Sequence, residues 1–173
     1  MILKFLQNSI RAQLSNKNEP LDKTLIIAFR VSPIDLDLNF HMNNGRYLSH
    51  MDTGKIDFLI RTGLAKKVIK QRAKPVTTSV KISFFKDLKL FERYRLITKL
   101  IGVDSKWLYF EQSFKNIDQK TVAHSLVKLG FSKDGLQPIK NFITEEQRKQ
   151  FHIEKVKEHE LLKKYEEYAL QFR

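Results

Sequence analysis

A change of periodicity in the middle of the chain restricts the folds that it can adopt. From Asn44 to about Thr62 the apolar residues recur at spacings of three and four, which predicts one long helix with a single buried stripe. Beyond Pro75 the pattern becomes two-fold, which predicts strands. β-branched and aromatic residues over Thr24–Val31, bounded by Pro33, predict a further strand before the helix. The predicted order is therefore a strand, a long helix and several strands.

Four runs of sequence follow the two-fold pattern: 76–85, 91–103, 107–116 and 121–132. The segments between them are short, so we expect mostly antiparallel neighbours, including the two runs joined by Lys86–Lys89. The runs are long for strands, which favours a long or strongly curved sheet. A single helix can cover only one face of such a sheet. We predict an α+β fold in which a curved antiparallel sheet of about five strands wraps around a long central helix.

Both ends of the chain have helical patterns outside this core. Leucine and isoleucine spacings over Met1–Leu14 predict an amphipathic helix that docks on the domain or makes weak contact with a membrane surface. Asn16–Pro20 is typical of a linker. Thr144 and Gln147 have capping-box spacing, which predicts the start of a C-terminal helical extension. The predicted boundaries are 1–23, 24–140 and 141–173.

The amino-acid composition limits the kinds of catalytic and binding site that the chain can form. The chain has no cysteine, which excludes a disulfide scaffold, a cysteine-ligated metal and a cysteine nucleophile. It has no run of about 18 apolar residues, so we expect a soluble, cytoplasmic protein. The 5 histidines do not pair at metal-ligand spacing with a convincing third ligand, so no metal or other cofactor is predicted. The net charge of +13 favours anionic partners such as nucleic acid, acidic lipid or a phosphorylated substrate.

The loop before the central helix is the most specific feature of the sequence. Two aspartates, one histidine and three asparagines fall within the ten residues Asp35–Asn44. The free N–H groups of a helix's first turn, here at Asn44, Gly45 and Arg46, carry partial positive charge. A carboxylate beside a helix N-terminus supplies the two things that hydrolysis of an acyl bond needs: a group that activates water or attacks the carbonyl, and donors that hold the developing oxyanion.

The pattern Asp35-x-Asp37-x-x-x-His41-Met-Asn-Asn44-x-x-Tyr47 resembles the signature of the 4-hydroxybenzoyl-CoA-type thioesterases of the hotdog superfamily. It is most similar to the branch with His-Val-Asn-Asn or His-Met-Asn-Asn, which includes the thioesterase-superfamily member 6 proteins. The likeness covers roughly Thr24 to Ser132 and includes Leu90-Phe-Glu92 before a long strand. It implies a hotdog fold and hydrolysis of a fatty or aromatic acyl-CoA or acyl-carrier-protein thioester.

The resemblance also implies roles for residues of the loop. Asp37 has the spacing to Tyr47 of the family's catalytic carboxylate and would act as general base or nucleophile. His41 would orient water, donate to the thioester, replace Asp37 as base, or serve only a structural role. The backbone N–H of Asn44 or its neighbour would polarise the carbonyl. The predicted catalytic set is therefore Asp37, His41 and Asn44.

Other residues of this segment are given supporting roles. Asn43 is expected to cap the helix, since asparagine is preferred at that position. Asp35 is expected to be structural, as a turn or cap residue. Gly45 would let the acyl chain approach closely. Tyr47 is a further candidate for substrate binding, and a position in the core is favoured for it over a catalytic role. Asp52 is a second acidic candidate for substrate binding.

Basic residues between positions 74 and 95 are candidates to meet the phosphates of coenzyme A, with Lys81, Lys86 and Arg93 foremost. Two other functions stay open at this point. The fold also accommodates non-catalytic acyl-CoA-binding proteins, and the charge would suit a nucleic-acid-binding protein, although no nucleic-acid-binding motif is present. A five-stranded sheet has exposed edges, so a homodimer or a dimer of dimers is expected, with the active site at the interface by resemblance.

Overall fold

A computed structural model describes residues 18–151. The predicted helix over Met1–Leu14 and most of the predicted C-terminal extension lie outside these residues. The described elements are β1 (Leu25–Arg30), α1 (Asn44–Arg61), α2 (Leu64–Lys70), β2 (Lys74–Phe84), β3 (Arg93–Val103), β4 (Leu108–Asn116), β5 (Thr121–Ser132) and α3 (Glu145–Gln150). Short 3-10 turns occupy Pro33–Asp35 and Ile139–Asn141.

The five strands form one antiparallel sheet in the order β1-β3-β4-β5-β2, and α1 packs on one of its faces. The predicted α+β architecture, a long helix against a five-stranded antiparallel sheet, is confirmed. The neighbours β3–β4 and β4–β5 are joined by short turns as expected. The prediction for Lys86–Lys89 is wrong, because β2 and β3 are not adjacent.

The connection from β2 to β3 instead crosses the end of the sheet. β2 lies on one edge and β3 lies three strand positions away, which is about 14 Å at the usual spacing of about 4.8 Å. On its way, the segment pairs with the loop before α1: His41 bridges to Lys89, and the Met42 N–H donates to the Leu88 carbonyl at 2.8 Å. The crossing therefore holds the polar loop against the end of the sheet.

The predicted stripe of α1 is buried, with Tyr47, Met51 and Phe58 each at most 2% exposed. Gly54 lies in the same stripe, where a Cβ atom would come within 2.6 Å of Thr98 Oγ1 and 2.8 Å of Gln112 Nε2. The absence of a side chain at Gly54 therefore lets the helix lie close to side chains of β3 and β4. A larger residue there would push the helix off the sheet.

The chain beyond β5 returns to the core. Ile139 and Phe142 are fully buried, and the Phe131 and Phe142 rings lie 4.4 Å apart. The predicted capping box is present at the start of α3, where Thr144 and Gln147 exchange side-chain-to-backbone hydrogen bonds. The boundary at residue 140 stays a prediction. Between residues 18 and 151, no helix is long and apolar enough to cross a membrane.

Candidate active site

Asn43 caps α1, as expected. Its side-chain oxygen accepts from the Gly45 N–H at 2.8 Å, and its carbonyl accepts from the Arg46 N–H at 2.9 Å. Two of the first-turn donors are thereby used within the cap. The Asn44 N–H has no acceptor among the residues that the structure describes. This donor, at the positive end of an 18-residue helix, is available to an external oxygen atom.

Asp37 and His41 are hydrogen-bonded to each other at the two ends of a small loop that precedes this cap. Its Oδ1 accepts from the Asn39 N–H at 2.9 Å and from the His41 N–H at 3.3 Å, and its own N–H donates to the His41 carbonyl. Phe40 closes the loop in the left-handed region, at φ 60°. Within residues 18–151, Oδ2 of Asp37 has no hydrogen-bond donor. The half-buried carboxylate is therefore held by one oxygen and free at the other.

An open cavity of about 660 Å³ lies beside this carboxylate. Its lining combines Asp37 and Asn43 with apolar loop residues, among them Pro33, Leu36 and the exposed Leu38 and Phe40. Neither His41 nor Asn44 lines it. The His41 ring is 37% exposed and points instead toward Asp87, with 3.8 Å between Nε2 and Oδ2. The loop therefore brings Asp37 and the helix cap to one cavity, whereas His41 is joined to Asp37 through its backbone.

Asp35 is buried beneath the loop, with 1% of its surface exposed. Its Oδ2 accepts from the Ser32 N–H at 2.9 Å and the Ser32 hydroxyl at 2.7 Å, and Oδ1 accepts from Arg46 Nε at 2.8 Å. Its backbone carbonyl accepts from the Asn43 N–H at 2.8 Å. One residue thus ties together the start of the loop, its end and the first turn of α1. The structural role expected for Asp35 fits these contacts.

The pKa of Asp35 depends on its burial, on its hydrogen bonds and on the charge of Arg46. Burial by itself would raise the pKa, but the hydrogen bonds from Ser32 and Arg46 and the charge of Arg46 outweigh it and hold the pKa below the ordinary value. Asp35 is therefore an anion at neutral pH. Its charge is matched by the guanidinium of Arg46.

His50 lies one turn further along α1 and continues this network inward. Its Nδ1 is 3.1 Å from the Tyr94 hydroxyl, and its Nε2 is 3.8 Å from Asp35 Oδ1. Burial lowers the pKa of His50 despite the nearby carboxylate of Asp35, and burial raises the pKa of the Tyr94 phenol. The imidazole and the phenol are therefore both neutral at physiological pH. They form an uncharged layer between the Asp35–Arg46 pair and the core.

Tyr47 and Asp52, predicted on α1, do not line the cavity. Tyr47 is 2% exposed, its ring packs edge-on against Phe84 and Phe114, and burial raises its pKa to about 12. Asp52 is exposed and pairs at 2.7 Å with the buried ammonium of Lys55, which also donates to Thr77. The core position favoured for Tyr47 fits these contacts, and Asp52 anchors a lysine.

Gly45 is exposed in the first turn, where a Cβ atom would lie 3.1 Å from the capping oxygen of Asn43. The predicted phosphate contacts are spread over the surface. Lys81 is on the edge strand β2, Arg93 is on β3, and Lys86 is in the crossing segment. The structure does not bring these three cations together.

Arg46, His50 and Asp87 were missed from the sequence. Arg46 and His50 are four residues apart on α1, so the helical repeat predicts that they share a face. That Asp35 reaches the same face depends on the path of the loop. Asp87 approaches His41 only because the β2–β3 connection crosses the sheet, which the sequence pattern does not reveal.

A long helix on a five-stranded antiparallel sheet, with a carboxylate loop at the helix N-terminus, defines a hotdog fold. Solved structures share it. YbaW, a probable thioesterase from Escherichia coli, has a TM-score of 0.64 at 17% identity, covering 73% of this chain and 95% of that one. The DHNA-CoA thioesterase from Staphylococcus aureus has a TM-score of 0.62 at 13% identity, covering 73% of this chain and 89% of that one.

A family model described as thioesterase-like superfamily matches residues 31–146. The chain belongs to this thioesterase-like superfamily. The protein THEM6 from Drosophila melanogaster is 33% identical over 99 residues, which cover 57% of this chain and 51% of the relative. This chain spans about half the length of the curated relatives that it matches.

Proposed function

We propose that this chain hydrolyses the thioester of a fatty or aromatic acyl-CoA or acyl-carrier protein, with Asp37 as the catalytic carboxylate. The observation that carries the proposal is the arrangement of Asp37: one oxygen is fixed by two backbone N–H groups, and the other is free beside a cavity at the start of α1. Membership of the thioesterase-like superfamily and the CoA thioesterase named among the structural relatives support the same reaction class.

The proposed chemistry starts with the free oxygen of Asp37. Acting as a general base, it takes a proton from water while the water oxygen bonds to the thioester carbonyl carbon. The carbonyl oxygen gains negative charge, and the unpaired N–H of Asn44 is the proposed donor to it. When the C–S bond breaks, the thiolate takes up the proton, and the products are a carboxylic acid and a free thiol. His41 would help to hold the Asp37 carboxylate in place through its backbone N–H.

A second course for the same residue is direct attack of the Asp37 carboxylate on the carbonyl carbon. This would give a mixed anhydride that water then hydrolyses. A single turnover in ¹⁸O-labelled water tests this course. Label in the Asp37 carboxylate shows that Asp37 acts as nucleophile and that water opens the anhydride at the Asp37 carbonyl, whereas label confined to the product acid fits general-base attack or opening of the anhydride at the acyl carbonyl.

We propose a homodimer as the active assembly. β1 and β2 are the two edges of the sheet, and β2 is an 11-residue strand with exposed apolar side chains, Val80 and Phe84. Leu48 and Ile56 on the outer side of α1 are also exposed. Pairing of two copies would cover an unpaired strand edge and apolar surface together.

The experiment that tests the proposed function is the Asp37→Asn variant, assayed against acyl-CoA substrates of increasing chain length. The substitution keeps the size of the side chain and removes its basicity. We expect kcat/KM to fall by about 10²–10⁴-fold, the usual contribution of a positioned general base. Asp134→Asn is the matched control, because Asp134 is an exposed turn residue distant from the loop in sequence.

Wild-type turnover by a folded Asp37→Asn variant would overturn the assignment of Asp37. A wild-type protein that binds acyl-CoA tightly but releases thiol no faster than buffer would instead favour a non-catalytic acyl-CoA-binding protein.

A further inference from the structure

The face of the sheet opposite α1 carries an unusual arrangement of charge at one end. Directly opposed residues of antiparallel strands point to the same face, and two such pairs here are cation against cation. Arg30 of β1 lies opposite Arg93 of β3, and Arg95 of β3 lies opposite Lys115 of β4. Like charges in this position destabilise a sheet. Something other than strand stability accounts for the grouping.

These four cations have no carboxylate within ion-pair distance among residues 18–151. Lys99, on the same strand and face, lies opposite the acidic Glu111 and not opposite a second cation, and the Glu111 carboxylate pairs with His124 at 2.9 Å. Lys128 of β5 makes cation–π contacts, since its ammonium lies 5.2 Å from the centre of the Trp107 ring and 5.3 Å from the centre of the Tyr109 ring. Among the described strand pairs, directly opposed cations occur only at this end of β1, β3 and β4.

A cavity of about 200 Å³ lies at this cationic group. Arg93 and Arg95 line it together with Ala28, Ile117 and Asn116, and with Phe29 and Tyr94, whose rings point to the α1 side of the sheet. The Asn116 amide is occupied by the turn that follows β4, where it accepts from the Lys120 N–H and contacts Asp118 at 3.5 Å. The polar groups left to meet a ligand are guanidinium groups, on a largely apolar wall.

We propose that this cavity, with Arg30, Arg93, Arg95 and Lys115 around it, binds the phosphate groups of a small phosphorylated ligand. Guanidinium groups bind phosphate oxygens bidentately, and an anion held between the opposed cations removes their repulsion. The three strands span about 10 Å, so the group suits one compact, multiply charged anion. The apolar wall suits an attached ring, such as a nucleoside.

The site lies on the sheet face opposite α1. It therefore stands whether or not the chain hydrolyses thioesters, and its test is a binding measurement. The phosphates could belong to the coenzyme A portion of a substrate, as expected for Arg93 from the sequence, or to a separate nucleotide. Both share the same recognition chemistry.

The test is calorimetric titration of the wild-type chain with inorganic pyrophosphate and with adenosine diphosphate at low ionic strength. We expect binding to both, weakened as salt is added. The double variant Arg93→Gln/Arg95→Gln should bind at least about tenfold more weakly, because two charge-assisted contacts are lost. Lys99→Gln, on the same strand and face, should bind as the wild type does. Lys115→Gln gives a second, milder test if the double variant does not fold.

Failure of pyrophosphate to bind the wild type, or equal affinities of the wild type and the double variant, would overturn the proposal. So would binding of duplex DNA or anionic vesicles without binding of pyrophosphate. Competition of coenzyme A with pyrophosphate would assign the site to a CoA nucleotide, and competition by adenosine diphosphate but not by coenzyme A would assign it to a separate nucleotide. The two proposals are tested separately, since the Asp37→Asn variant, designed to lose hydrolysis, should bind pyrophosphate with the wild-type affinity.

Discussion

Two aspartates separated by one residue occupy opposite environments in the loop before α1. Asp35 is buried and accepts three side-chain-directed hydrogen bonds, whereas Asp37 keeps one oxygen free beside a cavity. The sequence could single out both residues and could assign the structural role to Asp35. It could not identify Arg46 and Ser32 as the partners of Asp35, because those contacts depend on how the loop folds back over the first turn of the helix.

Asp35→Asn should lower the free energy of unfolding by about 2–3 kcal/mol, since a buried charge partner is removed. Both carboxylate oxygens of Asp35 accept hydrogen bonds, and asparagine would turn an N–H₂ group toward one set of donors. Urea denaturation measures the change. Asp134→Asn is the control at an exposed turn, and equal stability losses in the two variants would contradict the structural role of Asp35.

His50 should make stability depend on pH below neutrality. Burial lowers the folded-state pKa of His50 below its ordinary value of 6.5, so the unfolded chain binds the proton first as pH falls. The stabilisation is fully present above pH 6.5 and is lost as pH falls from there toward the folded-state pKa, by at most about 1.4 kcal/mol per pH unit. We expect His50→Gln to flatten the fall in unfolding free energy between pH 7 and pH 5.5. An unchanged slope in that variant would show that other groups cause it.

At the scale of elements, periodicity was enough to locate α1 and all five strands. It failed for α2, where the seven residues Leu64–Lys70 bury only Leu64 and Val68, too few positions to establish a helical repeat. The helix begins after Gly63, whose φ of 77° lets the chain turn sharply from α1. Such a turn is decided by one residue, whereas α1 is specified by a stripe repeated over 18 residues.

Gly54 is the point where helix propensity and packing oppose each other most clearly. Alanine would favour the helix by about 1 kcal/mol, but its Cβ would lie 2.6 to 2.8 Å from atoms of Thr98, Gln112 and Leu96. Gln112 cannot retreat freely, because its Nε2 donates to the Met51 carbonyl and to Thr98. We therefore expect Gly54→Ala to destabilise the fold by about 1–2 kcal/mol net. Thermal unfolding of Gly54→Ala measures this, with Ser49→Ala, at an exposed position of the same helix, as the control. A rise in Tm for Gly54→Ala would contradict the expectation and would mean that the side chains of the sheet move to accommodate the added Cβ atom.

At the scale of the whole molecule, the order of the strands was the feature least accessible from the sequence. The predicted turn Lys86–Lys89 is short, so it was expected to join neighbours, whereas the observed connection runs from residue 85 to residue 92. Its buried Leu88, 0% exposed, instead fixes it across the end of the sheet, where it pairs with His41 and Met42. The β2–β3 connection also places Asp87 beside His41. The wrong prediction of the strand order and the failure to predict Asp87 near the candidate site therefore have the same cause.

The proposed dimer predicts different results at the two edges of the sheet. Val80 on β2 and Ile26 on β1 are both β-branched and exposed, at 37% and 52%, so lysine at either position costs little within one chain. If two copies meet along β2 and the outer side of α1, Val80→Lys would bury an unpaired ammonium in the interface, and Ile26→Lys would not. Analytical ultracentrifugation should show a dimer for the wild type and Ile26→Lys, and a monomer with reduced hydrolysis for Val80→Lys. A monomeric wild type would contradict this interface, and so would dissociation of the dimer by Ile26→Lys but not by Val80→Lys. In either case the exposed apolar side chains of β2 and α1 would not be covered by a second copy of the chain.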